Sequence, residues 1–287
     1  MRRVTFSRNF TVSLSRTCQC YCKYCAFATH RAHLYSPDEV EELLDDAGRR
    51  GAKELLVLTG EKPEVNQEVA ARLSEYGHED FVSYVAWTCE RALERGMLPH
   101  TNVGVCTPEE LARLRTVTAS QGLMLESVNP DLVVHQGSPT KDPAVRLATI
   151  QAAGELRIPF TSGILVGIGE SPEERVDALR ALAEVHGEHG HLQEVILQNF
   201  VPHPRYYGAE PAEIANEAQR TQTHGEPAAL PGWAQPISLD DMRLLVRECR
   251  RLMPDVGVQI PPNLSDWWLP LIEEGATDLG GLSANGD

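Results

Sequence analysis

Three cysteines near the amino terminus have the spacing of a metal-binding loop. Cys18, Cys22 and Cys25 directly follow a strand-like apolar segment in the pattern Cys-x3-Cys-x2-Cys. Three thiolates on so short a loop can hold three corners of a [4Fe-4S] cluster, which normally takes four cysteines. The fourth iron would then be open to another ligand or to a substrate. The spacing therefore predicts an iron–sulfur cluster with one open coordination position.

The remaining cysteines leave alternatives open. A structural zinc site needs a fourth Cys or His, usually from a second spaced pair, and the chain has no second Cys-x2-Cys. Cys20 could be that ligand, but it lies too close to Cys18 in sequence to share a compact site comfortably, so a spare small side chain is the simpler interpretation. A redox pair of Cys22 and Cys25 would leave Cys18 unexplained. Three isolated cysteines are expected in the core: Cys89, Cys106 and Cys249.

The charge balance limits the partners of this chain. Among 287 residues, Asp and Glu number 41 and Lys and Arg 26, which gives a formal net charge of −15. A nucleic-acid binder needs a basic face, so neither nucleic acid nor an anionic membrane surface is expected as a partner. We find no secretory signal and no stretch near the roughly 18 apolar residues of a membrane span. We therefore expect a cytoplasmic protein with reduced cysteines.

Strand-like apolar runs alternate with helical patterns along the chain. The strands are rich in Val, Ile and Leu without clean alternation, which is typical of parallel strands buried on both faces. They are predicted at Phe10–Ser15, Glu54–Thr59, Thr101–Val105, Leu123–Ser127, Phe160–Val166, Glu194–Phe200 and Val256–Ile260. This order predicts an α/β fold with a partial or complete parallel (β/α) barrel, and an open doubly wound sheet is the alternative. In a barrel the cysteine loop would lie at the carboxyl ends of the strands, where active sites are found.

Helix boundaries are marked by capping residues. Ser36, Thr107 and Ser171 each precede Pro and are followed three residues later by Glu, and Ser238 begins a weaker version. Two glycines just before predicted strands are expected to end helices: Gly51 and Gly154.

One domain covering residues 1–287 is expected, with two unusual segments. Residues 201–236 are rich in Pro and Gly and are too long for an ordinary connection, so we predict an insertion or a lid. Residues 278–287 have the composition of a frayed or truncated tail.

Several motifs together resemble the radical S-adenosylmethionine (SAM) superfamily. The cysteine loop, with Tyr24 before its last cysteine, resembles the superfamily's cluster loop, and Gly60-Glu61 resembles the motif that holds the methionine amino group. The run from Gly163 to Glu170 resembles the glycine-rich element beside the adenine. The resemblance implies a [4Fe-4S] cluster on Cys18, Cys22 and Cys25, and SAM as a second cofactor. The residues implied to bind SAM are Tyr24, Gly60, Glu61, Glu126, Arg146, Gly163, Gly167 and Ile168.

A narrower resemblance runs along most of the chain. The segments Leu58–Glu64, Gly122–Ser127, Ile158–Glu170 and Val258–Leu264 are similar to the CofG family of deazaflavin synthase subunits. This family is implied to close the deazaflavin ring of a tyrosine-derived ribityl-uracil adduct with loss of ammonia, as a radical SAM lyase. The adduct comes from a sister subunit of the CofH type, and one electron comes from an external donor.

Polar residues at strand ends are the candidates for contacts with this small-molecule substrate. They are His100, Asn102, Gln198 and Asn263. Two other classes of function stay open at this point. One is a different radical SAM reaction, of the CofH, biotin-synthase or methylornithine-synthase type. The other is a non-catalytic iron–sulfur or zinc protein.

Overall fold

The strands of this protein form one curled sheet, as described by a computed structural model for residues 3–202 and 230–284. The strands are β1 (Thr5–Phe6), β2 (Asn9–Ser15), β3 (Glu54–Thr59), β4 (Leu98–Asn102), β5 (Ser120–Gly122), β6 (Phe160–Val166), β7 (Leu192–Asn199), β8 (Gly257–Ile260) and β9 (Asp278–Leu279). Their spatial order is β1-β9-β8-β7-β6-β5-β4-β3-β2, and all neighbouring strands are parallel. Because β2 to β9 follow one another around the sheet, the doubly wound alternative does not apply.

The two edges of the sheet approach each other. Asn9 in β2 forms a single parallel bridge with Ser283, which follows β9. The Thr11 N–H donates to Ser283 Oγ at 3.2 Å, and the Ala284 N–H donates to the Asn9 carbonyl at 2.8 Å. The predicted α/β parallel barrel of the partial type is therefore confirmed.

The helices cover the outer face of the sheet. They are α1 (Pro37–Arg49), α2 (Gln67–Glu75), α3 (Phe81–Glu94), α4 (Pro108–Arg115), α5 (Pro143–Glu155), α6 (Pro172–His189), α7 (Leu239–Leu252) and α8 (Trp268–Glu274). Helices α1, α4, α6 and α7 begin at the predicted caps, and Ser36, Thr107, Ser171 and Ser238 all form complete capping boxes. No helix within the described residues is both long and apolar enough to cross a membrane.

Gly154 does not end its helix, in contrast to the prediction. Helix α5 continues to Glu155, and the left-handed residue that follows is Arg157 (φ 52°). A Cβ at Gly154 would lie 2.5 Å from Cδ2 of His189. The glycine therefore allows α5 to approach the end of α6 closely. Gly51, by contrast, follows α1 with φ 70°, as expected of a helix terminator.

The apolar runs predicted strands buried on both faces, but most strands are buried on one face only. In β3, Leu55 and Val57 are fully buried in the core under the helices, whereas Glu54 and Leu56 line a cavity inside the curled sheet. The same alternation occurs in β4, β7 and β8, and among the described strands only β6 and the short β5 are buried throughout their length. The prediction was wrong here because the interior of the barrel is partly open and lined by polar groups.

Two predicted strands begin three residues earlier than expected. Strand β4 covers Leu98–Asn102, and β5 covers only Ser120–Gly122 in place of Leu123–Ser127. Glu126 has a left-handed backbone (φ 68°) and pairs with Ile164 only through an isolated bridge. This conformation excludes Glu126 from a regular strand.

The two unusual segments have different outcomes. The lid predicted at 201–236 falls mainly on residues 203–229, which lie outside the described residues, and it stays a prediction. Residues Asp278–Leu279 are not frayed, because they form β9 between β1 and β8. Residues 285–287 lie outside the described part of the chain.

Candidate active site

A loop after β2 carries the three predicted cluster ligands. Its two ends are held together because the Cys18 N–H donates to the Thr29 carbonyl at 3.1 Å and the Thr29 N–H donates to the Arg16 carbonyl at 2.8 Å. Thr17 and Thr29 also form an isolated parallel bridge. The loop therefore leaves and rejoins the fold at the carboxyl end of β2, on the edge where barrel enzymes have their active sites.

Backbone donors surround the sulfur atoms of this loop. Cys18 Sγ accepts N–H groups from Cys20 at 3.4 Å and from Glu61 at 3.2 Å, and Cys25 Sγ accepts the Ala28 N–H at 3.4 Å. Hydrogen bonding, chiefly from Cys20, lowers the pKa of the Cys18 thiol, whereas burial raises the pKa of Cys25. Such donors stabilise negative charge on sulfur.

The three thiols suit a cluster better than a single ion. Within the described residues, no three Cys, His, Asp or Glu side chains are arranged so that they could hold one metal ion. A zinc site would need that convergence, whereas in a [4Fe-4S] cluster each thiolate binds a different iron. The donor set of Cys18, Cys22 and Cys25, with its backbone N–H groups, therefore fits the cluster.

Cys20 points into the protein and is only 3% exposed. Its thiol donates to Glu61 Oε2 at 3.3 Å and lies 2.9 Å from Thr140 Oγ1. The hydrogen bond with the Cys18 thiol, together with burial, raises the pKa of Cys20 to about 12. These contacts favour a structural role for Cys20 beside Glu61.

Glu61 lies at the centre of the site and is buried. Its Oε1 accepts the Val105 N–H at 3.0 Å and lies 3.4 Å from Arg146 Nη1, and its Oε2 accepts the Thr140 hydroxyl at 2.9 Å. A Cβ at Gly104 would lie 2.1 Å from Glu61 Cγ, so only glycine leaves room for this side chain. Backbone groups of Glu61 contact the cluster loop as well, since its carbonyl accepts the Gln19 N–H at 3.0 Å.

Arg146 connects this carboxylate to the edge of the sheet. The buried guanidinium donates from Nε to the Met124 carbonyl at 2.5 Å and from Nη1 to the Thr140 carbonyl at 3.0 Å. The structure therefore brings together Cys18, Glu61 and Arg146, which the sequence places far apart. Such a carboxylate and guanidinium could bind the amino and carboxylate groups of an amino acid.

Glu126 pairs with a residue that the sequence patterns missed. Lys141 Nζ donates to Glu126 Oε1 at 2.7 Å, and it lies 5.7 Å from the centre of the Tyr24 ring. Burial disfavours the Glu126 charge, but Lys141 and Arg146 outweigh it and lower the pKa of Glu126. The Tyr24 hydroxyl lies 3.2 Å from His135 Nε2.

Lys141 belongs to a short segment that contacts the cluster loop. The segment contains the 3-10 helix Pro139–Lys141, which no periodic pattern in the sequence predicts. Ser138 Oγ accepts the Tyr21 N–H at 2.8 Å and the Cys22 thiol at 3.5 Å. One signal was available, because the chain contains only four lysines and Lys141 is one of them.

The glycine-rich element forms a tight turn after β6. Gly167 has φ 98°, and the N–H groups of Gly167 and Ile168 both donate to the Glu170 carboxylate at 2.7 Å. Arg175 Nε in turn donates to Glu170 at 2.6 Å. Earlier in the strand, the Gly163 carbonyl accepts the Glu126 N–H at 3.1 Å, which joins this element to Glu126.

The predicted substrate residues are divided between two places. His100 and Asn102 on β4 line the interior cavity, which measures about 710 Å³. His100 Nδ1 lies 2.7 Å from Ser120 Oγ, and burial lowers the pKa of His100 to about 4, so the ring is neutral. Gln198 on β7 is half-buried and Asn263 after β8 is exposed; neither lines this cavity. Their contacts with a substrate stay predictions.

Comparisons with known proteins identify the family of this chain. The profile of the Radical SAM superfamily matches residues 12–182. The 7,8-didemethyl-8-hydroxy-5-deazariboflavin synthase of Archaeoglobus fulgidus is 41% identical over 285 residues, which is 99% of this chain and 80% of that protein. The enzyme of the same name from Methanoculleus marisnigri is also 41% identical over 285 residues, covering 98% of this chain and 78% of that one.

Solved structures share the fold at lower identity. The FeFe-hydrogenase maturase HydG from Carboxydothermus hydrogenoformans superposes with a TM-score of 0.71 at 20% identity, over 98% of this chain and 59% of its own. Methylornithine synthase (PylB) superposes with a TM-score of 0.67 at 17% identity, over 98% of this chain and 72% of its own.

Proposed function

Because this chain belongs to the radical SAM superfamily and, within it, to the family of 7,8-didemethyl-8-hydroxy-5-deazariboflavin (FO) synthases, we propose that it closes the deazaflavin ring with loss of ammonia. Its cofactors are a [4Fe-4S] cluster and SAM. The proposed substrate is the adduct of a tyrosine-derived hydroxybenzyl group with ribityl-diaminouracil. The proposed products are FO, ammonium, methionine and 5′-deoxyadenosine, which makes the enzyme a carbon–nitrogen lyase.

One observation carries this proposal: residues from four separate parts of the chain meet at the cluster loop. The Glu61 N–H donates to Cys18 Sγ, and Arg146 pairs with the Glu61 carboxylate. Glu126 is joined to Gly163 through the backbone, and its carboxylate is held by Lys141. A purely structural cluster protein has no need for two buried carboxylates with two buried cations beside its thiols.

Each of these residues has a role that follows from its chemistry. Cys18, Cys22 and Cys25 would hold three irons of the cluster. When bound, the cluster and SAM supply the radical that removes a hydrogen atom from the substrate. Glu61 and Arg146 would bind the amino and carboxylate ends of methionine, since they carry the complementary charges.

The remaining residues would orient the cofactor and the substrate. Gly163 and Gly167 would accept the adenine ring against backbone that carries no side chain, and Ile168 would contact the ring beside them. Neutral His100 can donate or accept a hydrogen bond without adding charge to the cavity, and Asn102 can do both at once. Burial of the site keeps water from the reacting atoms.

The proposal extends to the cellular setting. A subunit of the CofH type would supply the adduct, and an external donor would supply one electron. We place the reaction in the cytoplasm, where thiols stay reduced and can bind iron.

Anaerobic reconstitution with iron and sulfide tests the proposal. We expect about four irons per wild-type chain and cleavage of SAM on reduction. The variants C18A, C22A and C25A should each lose both properties, whereas the matched variant C20A should keep them. Retention of SAM cleavage in the three ligand variants would refute the cluster assignment.

Product analysis separates this reaction from other radical SAM chemistry. The reconstituted enzyme should convert the adduct to fluorescent FO, with ammonium and 5′-deoxyadenosine detected by mass spectrometry. Recovery of unreacted adduct together with SAM cleavage would refute the proposed reaction and leave the superfamily assignment intact.

A further inference from the structure

The cavity inside the curled sheet extends well below the cofactor residues. At its upper end, near the carboxyl ends of the strands, it is lined by Asn102 and Met124. At its lower end it is lined by Glu54, the first residue of β3, and by Glu194, the third residue of β7. Its volume of about 710 Å³ is in the range of sites that enclose small organic ligands.

Four side chains form a polar floor at the lower end: Glu54, Glu194, Gln259 and Asp278. Gln259 Nε2 donates to Glu194 Oε2 at 2.6 Å and lies 3.4 Å from Asp278 Oδ1. The Thr5 hydroxyl donates to the other oxygen of Asp278. The floor is therefore an ordered network that joins β1, β7, β8 and β9.

The charge state of the floor suits neutral polar groups. Burial raises the pKa of Glu194, and the nearby carboxylate of Asp278 raises it further. Burial also raises the pKa of Glu54 and Asp278. With its pKa raised to about 8, the Glu194 carboxyl offers both a donor and an acceptor while it keeps its proton, as hydroxyl ligands require. Two cations, Arg8 and Lys53, line the same end.

The middle of the cavity has a different character. Leu56, Met124 and Ile196 supply apolar wall, with His100 and Asn102 as the polar groups between them. A ligand that fits this cavity combines a flat, partly apolar ring with a polar chain that reaches the floor.

The network is also unsuitable for a metal ion. The Gln259 amide places N–H donors, not lone pairs, between Glu194 and Asp278. Within residues 3–202 and 230–284, no group of three acidic, Cys or His side chains could hold a metal ion.

We propose that the polar floor is the subsite for a polyhydroxylated chain, with Glu194 and Gln259 as its specificity-determining residues. The inference rests on the proposed function, in which the chain is the ribityl arm of the adduct. In this arrangement the ribityl hydroxyls bond to Glu194 and Gln259. The ring system lies above them, against Met124 and Ile196, closer to the cofactor residues.

Binding of two fluorescent probes tests the subsite without turnover. The first probe is FO, and the second is its analogue with a methyl group in place of the ribityl chain. Wild-type enzyme should bind FO at least about tenfold more tightly than the methyl analogue, because the analogue cannot form two or more of the neutral hydrogen bonds that the ribityl chain forms. Fluorescence titration gives both dissociation constants.

Three variants locate the effect at the floor. Q259L and, independently, E194L should bring the ratio of the two dissociation constants close to one. E194Q keeps a donor and an acceptor and should preserve the ratio. General damage to the fold would weaken both probes together, so the ratio separates recognition from stability.

The outcomes for the subsite and for the proposed reaction are distinct. Equal binding of the two probes by wild-type enzyme, or an unchanged ratio in both leucine variants, would overturn the subsite even if the adduct is converted to FO. Failure to convert the adduct, with a ratio that still depends on Gln259, would overturn the proposed reaction and retain a polyol subsite.

Discussion

The packing of Gly60 against the cluster loop leads to a prediction about cluster assembly. A Cβ at position 60 would lie 2.1 Å from the Thr17 carbonyl oxygen and 2.8 Å from Cys18 Cβ. Real Cβ atoms essentially never approach within 3.0 Å of another atom, so G60A must displace the Thr17–Cys18 backbone. The displacement required is about 1 Å, because neither neighbour is the flexible end of a side chain.

A shift of this size should lower both the stability of the fold and the rate of SAM cleavage. The Glu61 N–H now lies 3.2 Å from Cys18 Sγ, and an added displacement of about 1 Å would break that hydrogen bond. We expect G60A to lose about 1–3 kcal/mol of the free energy of unfolding through overpacking. We expect SAM cleavage to fall about 100-fold, because misplacement of about 1 Å has an effect of this order on reacting groups.

The assay combines iron content, SAM cleavage and urea unfolding of the anaerobically reconstituted protein. A matched control is G187A in α6, where a Cβ would meet no atom within 4 Å. This control should gain about 0.5–1 kcal/mol of stability and bind the same iron as the wild type. If G60A retains the wild-type iron content and rate of SAM cleavage, the inferred contact between Gly60 and the cluster loop is refuted.

Two further predictions concern buried charges. K141M should lose about 3 kcal/mol of the free energy of unfolding, since it leaves the buried Glu126 without its nearest cation. The control K62M removes a partly exposed ion pair with Glu110 and should lose less than about 1 kcal/mol. Equal losses of the two variants in urea titrations would contradict this account. E194Q should become more stable relative to the wild type as pH rises from about 5 to 8. Folding raises the pKa of Glu194, so the contribution of this group to wild-type stability is complete below its unfolded pKa and is lost as pH rises toward its folded pKa. A stability difference that does not change with pH would show that Glu194 is not perturbed.

Much of the fold could be predicted because its signals are local. The capping boxes at Ser36, Thr107 and Ser171 depend on residues three positions apart, and all of them form. The order of strands and helices likewise predicts the parallel barrel. The strand ends and Gly154 were predicted less well, since close contacts between elements, such as Gly154 with His189, decide them.

The sequence by itself determined the cysteine loop, its three spaced thiols and the family to which the chain belongs. These properties reside in short, continuous motifs. Only the tertiary structure decided which charges meet. Lys141 reaches Glu126, and Cys20 reaches Glu61, through contacts between segments that are remote along the chain.

In the interior of the barrel, too, the tertiary structure decides which residues meet. Glu194, Gln259 and Asp278 are single polar residues in or beside apolar strands, with nothing local to connect them. They become one network because curling of the sheet turns the inward faces of β7, β8 and β9 toward a common space. A pattern along the chain can indicate that a strand is buried, but the closure of the sheet decides what lies opposite each inward side chain.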